Sequence, residues 1–241
     1  MVRAALGDNE NNVSLEHHAN GAMSLNAHHR NVMDAAAAST LRAWRKIERE
    51  RRIAARVALP DDALAAYRHQ IDRLLTQMFP DLARGVLGIC WPFKAEYDAR
   101  HLAAELRVAG SETALPVVVA PKTPLVFRVW QPGDPLAEGV YAIPYPTTGR
   151  SVIPDTVLLP MNGFDDAGYR LGYGGGFFDR TLAAAPRRPR TIGVAYEMAH
   201  IATIQPQPYD IPMDYIVTEQ AVYRRADNPA RLERMEPSAP A

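Results

Sequence analysis

Apolar residues recur along this chain with two periods, which predict helices and short buried strands in alternation. A first helix is predicted from Thr40 as its N-cap, because Trp44 and Ile47 begin an apolar stripe at helical spacing. A second helix is predicted from Asp61 or Asp62 to about residue 78. Six short apolar runs predict strands at residues 85–91, 115–120, 125–130, 156–159, 191–196 and 215–218. Two further helices are predicted at residues 97–108 and 177–185.

This alternation predicts an α/β fold with one domain. Short apolar strands separated by helices are typical of a mainly parallel sheet covered by helices on both faces, a Rossmann-like, doubly wound arrangement. The domain is expected over residues 39–225. Residues 1–38 lack an apolar period and are expected to form a disordered tail, and residues 226–241 are expected to form a flexible C-terminal tail.

Composition narrows the class of protein. The 241 residues carry a formal net charge of zero, which argues against a dedicated nucleic-acid binder. The single cysteine, Cys90, excludes an internal disulfide and a Cys-based zinc site, and it favours a reducing cytoplasm. The chain has neither an apolar run of transmembrane length nor an N-terminal signal-peptide pattern, so we expect no membrane association.

The first predicted helix carries a basic face. Arg45, Arg49, Arg52 and Arg56 share one side at spacings of four, three and four residues. Such a face is typically solvated. The alternative is a site for an anion such as a nucleotide polyphosphate.

A glycine-rich segment after a predicted strand carries the clearest chemistry. Arg170 precedes glycines at 172, 174, 175 and 176, and a predicted helix with Asp179 in its first turn follows. Backbone N–H groups of such a loop can bind phosphate, and Asp179 can bind Mg²⁺. The segment matches neither a Walker A loop nor the dinucleotide fingerprint, because Phe177 stands where a third glycine is required. A tight structural connection therefore remains an alternative.

The string Phe164-Asp165-x-x-Gly168-x-Arg170-Leu171-Gly172-x-Gly174-Gly175-Gly176-Phe177-Phe178-Asp179-Arg180 closely resembles the signature of 5-formyltetrahydrofolate cyclo-ligases, also called 5,10-methenyltetrahydrofolate synthetases. Residues 45–49, 91–98 and 210–219 resemble three further stretches of that family. Arg45 stands where the family usually has Lys. The resemblance covers residues 40 to about 223.

The resemblance implies ATP- and Mg²⁺-dependent conversion of 5-formyltetrahydrofolate to 5,10-methenyltetrahydrofolate in the cytoplasm, by a monomer or weak homo-oligomer acting on small molecules. It implies a catalytic Arg170, Mg²⁺ on Asp179, and folate on Trp91, Phe93 and Glu96. The ATP-binding residues that it implies are Arg45, Arg49, Arg170, Leu171, Gly172, Tyr173, Gly174, Gly175, Gly176 and Phe177.

Arg170 and Asp179 stand at opposite ends of the glycine loop, so we expect them to flank the triphosphate from two directions. Two alternatives remain at this point. One is a sugar-phosphate isomerase or CoA-transferase-like enzyme of related fold, and the other is a non-catalytic folate- or nucleotide-binding protein.

Overall fold

The computed structural model describes residues 36–236, and the chain divides into two compact units, residues 1–44 and 45–241. Helix α1 covers residues 36–57. Thr40 lies inside this helix, where its hydroxyl donates to the carbonyl of Ala36 (3.0 Å), so its prediction as the N-cap is wrong. Of the tail predicted at residues 1–38, residues 1–35 lie outside the described residues and residues 36–38 are helical.

Three further α-helices belong to the second unit: α2 (Asp61–Met78), α3 (Arg100–Val108) and α4 (Phe177–Ala184). The strands are β1 (Val86–Gly88), β2 (Glu112–Val117), β3 (Val126–Val129), β4 (Leu136–Glu138), β5 (Pro144–Pro146), β6 (Ser151–Val152), β7 (Thr156–Pro160), β8 (Gly163–Asp165), β9 (Arg170–Leu171), β10 (Arg190–Val194), β11 (His200–Ile201), β12 (Tyr215–Val217), β13 (Val222–Asp227) and β14 (Ala230–Met235). Within residues 36–236, no helix has the length and apolarity that crossing a bilayer requires.

The main sheet is mixed. Its strand order is β14-β13-β12-β10-β7-β1-β2-β3-β6. The five strands from β12 to β2 run parallel, whereas the two at each edge pair antiparallel. The predicted α/β fold is therefore confirmed, whereas the mainly parallel sheet is found only in the five central strands. The short connection at residues 118–125, between β2 and β3, leaves no room for a helical crossover, so β3 returns antiparallel.

Successive residues of the central strands face two separate cores. Leu158 of β7 packs in the core that contains Leu75 of α2 and Leu102 of α3. Its neighbour Leu159 packs in the second core with Leu182 of α4. Helices therefore cover both faces of the sheet, and the central strands contain long apolar runs because both of their faces are buried.

The C-terminal segment is ordered further than its composition predicts. Strands β13 and β14 pair along their whole length, from Val222 with Met235 to Asp227 with Ala230. Leu232 packs against the second core, and its N–H donates to the carbonyl of Asp166 (2.7 Å). The predicted flexible tail at residues 226–241 is therefore contradicted for residues 226–235, whose charged side chains are typical of an edge strand. Residues 237–241 lie outside the described part.

Candidate active site

The candidate site forms where two neighbouring parallel strands end. Residues 91–98 leave the carboxyl end of β1, and residues 161–176 leave the carboxyl end of β7 through the β8–β9 hairpin. The part of α1 from Arg45 onward contacts both segments through arginine side chains. The sheet and the arginines of α1 thus bring together the basic helix face, residues 91–98 and the glycine-rich segment, which the sequence analysis selected.

The basic face of α1 binds protein rather than water. Four guanidinium groups donate to main-chain carbonyls of distant loops: Arg45 to Ile204 (3.1 Å) and Gln205 (2.8 Å), Arg49 to Gly172 (2.6 Å), Arg52 to His200 (3.0 Å), and Arg56 to Lys94 (2.9 Å) and Met161 (3.3 Å). The interpretation of this face as solvated is therefore wrong. Loop carbonyls without a strand partner need donors, and the arginines supply them.

Arg56, Glu96 and Tyr173 form a buried polar network. The Tyr173 hydroxyl donates to Glu96 Oε1 (2.9 Å), and Arg56 Nη2 lies 3.2 Å from the Tyr173 hydroxyl and 3.8 Å from Glu96 Oε1. The Glu96 side chain is only 3% exposed. Arg56 was absent from the predicted site, although its spacing from Arg45 placed it on the same helix face.

A tight turn holds Glu96 in this position. Lys94 and Ala95 have φ angles of 50° and 58°, a left-handed conformation that costs energy for residues with a Cβ. The turn allows the Phe93 N–H to donate to Glu96 Oε2 (3.0 Å), so both carboxylate oxygens accept hydrogen bonds. Strain in the backbone thus fixes one anionic group at the carboxyl end of β1.

Burial raises the pKa of Glu96 above its ordinary value of 4.5, although Arg56, Tyr173 and the Phe93 N–H act in the opposite direction. The folded protein therefore keeps this proton at pH values where the unfolded chain has released it. We expect the free energy of unfolding to fall, relative to the Glu96→Gln variant, as pH rises from about 4.5 through the raised pKa. Urea titrations of both proteins from pH 4 to 8 measure this difference. A difference that is constant or grows with pH would contradict the raised pKa.

The glycine loop depends on conformations that glycine provides. Gly174 and Gly176 have φ angles of 89° and 63°, and Gly176 immediately precedes α4. A Cβ on Gly174 would lie 3.1 Å from Arg49 Nη2. The loop therefore passes close to Arg49, and its last glycine directs the chain into the N-terminus of a helix, a favourable environment for an anion.

Arg170 and Asp179 are direct partners. Arg170 Nη2 lies 2.9 Å from Asp179 Oδ1, and Nη1 donates to the Ile211 carbonyl (2.9 Å). The expectation that these two residues flank a ligand from opposite directions is wrong, because the glycine loop turns back and brings its two ends together. Burial lowers the pKa of Arg170, while Asp179 and Asp210 oppose that shift.

Arg45 meets a carboxylate that the site prediction did not include. Its Nη2 lies 2.6 Å from Asp210 Oδ2, and both side chains are mostly buried. Burial lowers the pKa of Arg49, and the nearby positive charge of Arg45 lowers it further. The only signal for Asp210 in the sequence was its place at the start of the 210–219 resemblance.

The aromatic candidates separate into two groups. Phe93 packs on Tyr173 with ring centroids 5.6 Å apart, beside the Glu96 network. Trp91 instead meets Trp130 edge-on (5.8 Å), with the Arg100 guanidinium 4.4 Å from its ring. Leu171 is buried, and Phe177 lies under Arg180, whose guanidinium carbon is 5.3 Å from the ring centre.

A family model described as the 5-formyltetrahydrofolate cyclo-ligase family matches residues 45–219. The chain belongs to this family. The matched span begins at Arg45 and includes every residue of the candidate site.

Individual cyclo-ligases are similar over most of their length. The 5-formyltetrahydrofolate cyclo-ligase of Escherichia coli strain K12 is 29% identical over 151 residues, which cover 60% of this chain and 83% of the relative. That of Haemophilus influenzae is 27% identical over 161 residues, or 62% and 86% of the two chains. The solved structure of the Aquifex aeolicus 5,10-methenyltetrahydrofolate synthetase has a TM-score of 0.65 and 26% identity, covering 75% of this chain and 92% of its own.

Proposed function

We propose that this protein converts 5-formyltetrahydrofolate and ATP to 5,10-methenyltetrahydrofolate, ADP and phosphate. The observation that carries the proposal is the family match across residues 45–219, which includes the whole candidate site. The described residues of that site offer cations, glycines and carboxylates. A ring closure driven by phosphoryl transfer needs positioning and charge neutralisation of this kind.

The strand order supports this location for the site. The parallel strands run β2-β1-β7-β10-β12, so the chain changes its direction across the sheet between β1 and β7. Doubly wound sheets bind nucleotides beyond the carboxyl ends of the strands at such a reversal. The loop with Glu96 and the glycine loop leave the sheet at this point.

The residues would divide the reaction as follows. N–H groups of the loop from Gly172 to Phe177 bind the phosphates of ATP with Arg49, and Arg45 lies beside them. The formyl oxygen attacks the γ-phosphorus and ADP leaves, giving an imidate phosphorylated on that oxygen. N10 then attacks the imidate carbon, the C–O bond breaks to release phosphate, and N10 loses its proton to solvent. Arg170 neutralises charge on the transferring group, which is the usual contribution of a preorganised cation.

Asp179 is the residue that would hold the proposed Mg²⁺. Asp179 Oδ1 is engaged by Arg170 and by the Ile211 N–H (3.1 Å), whereas Oδ2 makes no hydrogen bond within the described chain. Residues 36–236 contain no cluster of three or more His, Cys, Asp or Glu suited to a metal. Mg²⁺ suits such a site because it commonly uses one or two carboxylates and completes its shell with phosphate oxygens and water. When bound, it would neutralise phosphate charge.

The folate would lie toward β1. Glu96 can accept from N–H groups of the reduced pterin, and Phe93 and Trp91 supply apolar surface for its ring. Phe93 is the better placed of the two, because it packs on Tyr173 next to Glu96. Trp91 already contacts Trp130 and Arg100, so less of its surface is available to a ligand.

The near-ultraviolet absorbance of the methenyl product tests the proposed function directly. We expect the absorbance to appear only when 5-formyltetrahydrofolate, ATP and Mg²⁺ are all present. ATP binding without product formation would instead support a non-catalytic binding protein. Failure to bind ATP at all would favour an enzyme of related fold without ATP chemistry.

Glu96→Gln tests the folate assignment. The variant should raise the KM for 5-formyltetrahydrofolate about tenfold or more, because one charge-assisted hydrogen bond is lost, and should leave the KM for ATP nearly unchanged. Steady-state measurements with each substrate varied in turn separate the two constants. Equal changes in both would assign Glu96 a structural role in the network with Arg56 and Tyr173.

A further inference from the structure

One buried side chain near the site has its hydrogen-bonding groups unused. Asn162 is 1% exposed, yet neither Nδ2 nor Oδ1 has a hydrogen-bond partner among the described residues. Buried carboxamides are normally paired, since an unpaired amide loses its bonds to water and gains nothing in return. Both polar atoms of this side chain are therefore buried without a partner in the described part of the protein.

Asn162 stands between the two halves of the candidate site. Its N–H donates to the Leu171 carbonyl (2.9 Å), and Gly163 pairs with Leu171, so Asn162 lies where the β8–β9 hairpin opens into the glycine loop. The carbonyl of the preceding residue, Met161, accepts from Arg56 Nη1 (3.3 Å). Arg56 in turn contacts Tyr173 and Glu96, so the backbone of Asn162 adjoins the folate side of the site.

The glycine loop that follows the hairpin borders open space at its first residue. A Cβ added to Gly172, the first residue of the loop, would meet no atom within 4 Å. The next residue, Tyr173, joins the Glu96 network. A planar ring placed against Phe93 and Tyr173 therefore approaches the hairpin end that carries Asn162.

The chemistry of a carboxamide specifies what it can recognise. Asn offers a donor and an acceptor side by side, so it pairs with a group that presents an acceptor and a donor in the same way. The pyrimidinone ring of a reduced pterin has this arrangement in its ring N–H and adjacent carbonyl. Buried groups of this kind discriminate strongly, because a ligand that lacks the complement leaves them unpaired.

We propose that Asn162 is a specificity-determining residue that hydrogen-bonds the amide edge of the pterin ring. The proposal rests on the proposed cyclo-ligase function. It assigns the unpaired amide to the folate rather than to adenine, because the carbonyl of the preceding residue, Met161, accepts from Arg56 of the Arg56–Tyr173–Glu96 network.

Asn162→Leu, of similar volume, tests this inference by combining stability with binding. Without ligand, the variant should have a urea midpoint equal to or above that of the wild type, because an apolar side chain removes the unpaired groups. Its Kd for 5-formyltetrahydrofolate, measured by calorimetry in the absence of ATP, should rise about tenfold or more. Its Kd for ATP with Mg²⁺ should be unchanged.

A matched control comes from Thr113, which is equally buried but fully paired through its hydroxyl to the Trp130 carbonyl (2.6 Å). Thr113→Val should lower the urea midpoint and leave both dissociation constants unchanged. Asn162→Asp provides a second variant, because it keeps the shape and an acceptor but loses the donor, and it should also weaken folate binding.

The outcomes separate the two proposals. A wild-type protein that does not bind 5-formyltetrahydrofolate refutes the proposed function. A wild type that binds it, with unchanged folate affinity in both Asn162 variants, refutes the role of Asn162 and leaves the function intact. Weakened ATP binding with unchanged folate binding would assign the carboxamide to adenine and would equally overturn the inference.

Discussion

Arg170→Ala is expected to lower kcat by about 10² or more, the scale of losing one preorganised transition-state donor. The Arg170 side chain is 5% exposed and is fixed from two sides, by Asp179 (2.9 Å) and by the Ile211 carbonyl (2.9 Å). Its charge therefore needs no reorganisation when negative charge moves during phosphoryl transfer. Single-turnover formation of the methenyl product measures the effect on the chemical step.

Asp179 and Arg170 form one ion pair, but we expect their substitutions to affect activity in different ways. Asp179→Asn should raise the Mg²⁺ concentration required for half-maximal activity, since a neutral amide is a poorer ligand for a hard cation. Excess Mg²⁺ should restore this variant in part only, because Asp179 also orients Arg170, and it should not restore Arg170→Ala. Rescue of both variants alike, or of neither, while both keep their circular dichroism spectra, would contradict distinct roles.

Arg56→Met should produce the largest loss of stability, about 3–5 kcal/mol in the free energy of unfolding. The change removes the cation next to the buried Glu96 carboxylate and leaves the carbonyls of Lys94 and Met161 without their donor. A buried charge without its counterion costs far more than an exposed one. Urea denaturation at pH 7 measures the loss.

A double variant and a surface control make this prediction specific. Arg56→Met combined with Glu96→Leu should be more stable than Arg56→Met alone, because the uncompensated carboxylate is then absent. Arg51 pairs with Glu48, and the Arg51 side chain is 70% exposed. Arg51→Met should therefore lower the free energy of unfolding by at most about 1 kcal/mol. A double variant less stable than Arg56→Met would show that the burial of Glu96 is not the source of the loss.

The spacing of apolar residues predicted those helices and strands whose own sequence shows which positions are buried. Helix α2 begins at Asp61 and ends at Met78 as predicted, and α4 begins at Phe177 directly after the glycines. The buried strands β7, β10 and β12 lie inside the predicted runs to within one residue. These strands are apolar on both faces, so each is recognisable without knowledge of its neighbours.

Pairings between distant residues could not be predicted in the same way. Arg45 and Asp210 are 165 residues apart, and nothing in either segment indicates that one neutralises the other. Asp179 and Arg170 were placed apart because the linear order of the loop hides the way it turns back. Strand β14 was not predicted, because its sequence is mostly charged. Only Leu232 and Met235 pack on the cores, and charged residues such as Arg231 and Glu233 interrupt the apolar pattern.

The part of helix α1 from Arg45 onward acts as a common clamp for four segments of the candidate site. Its four arginines hold the loop after β1, the loop after β7, the glycine loop and residues 198–205, each through a main-chain carbonyl. A local opening of this part of the helix therefore breaks the contacts to all four segments at once, while the two cores of the sheet stay packed. The lifetime of these arginine contacts is then set by how long the helical segment stays in place, and not by the stability of the sheet.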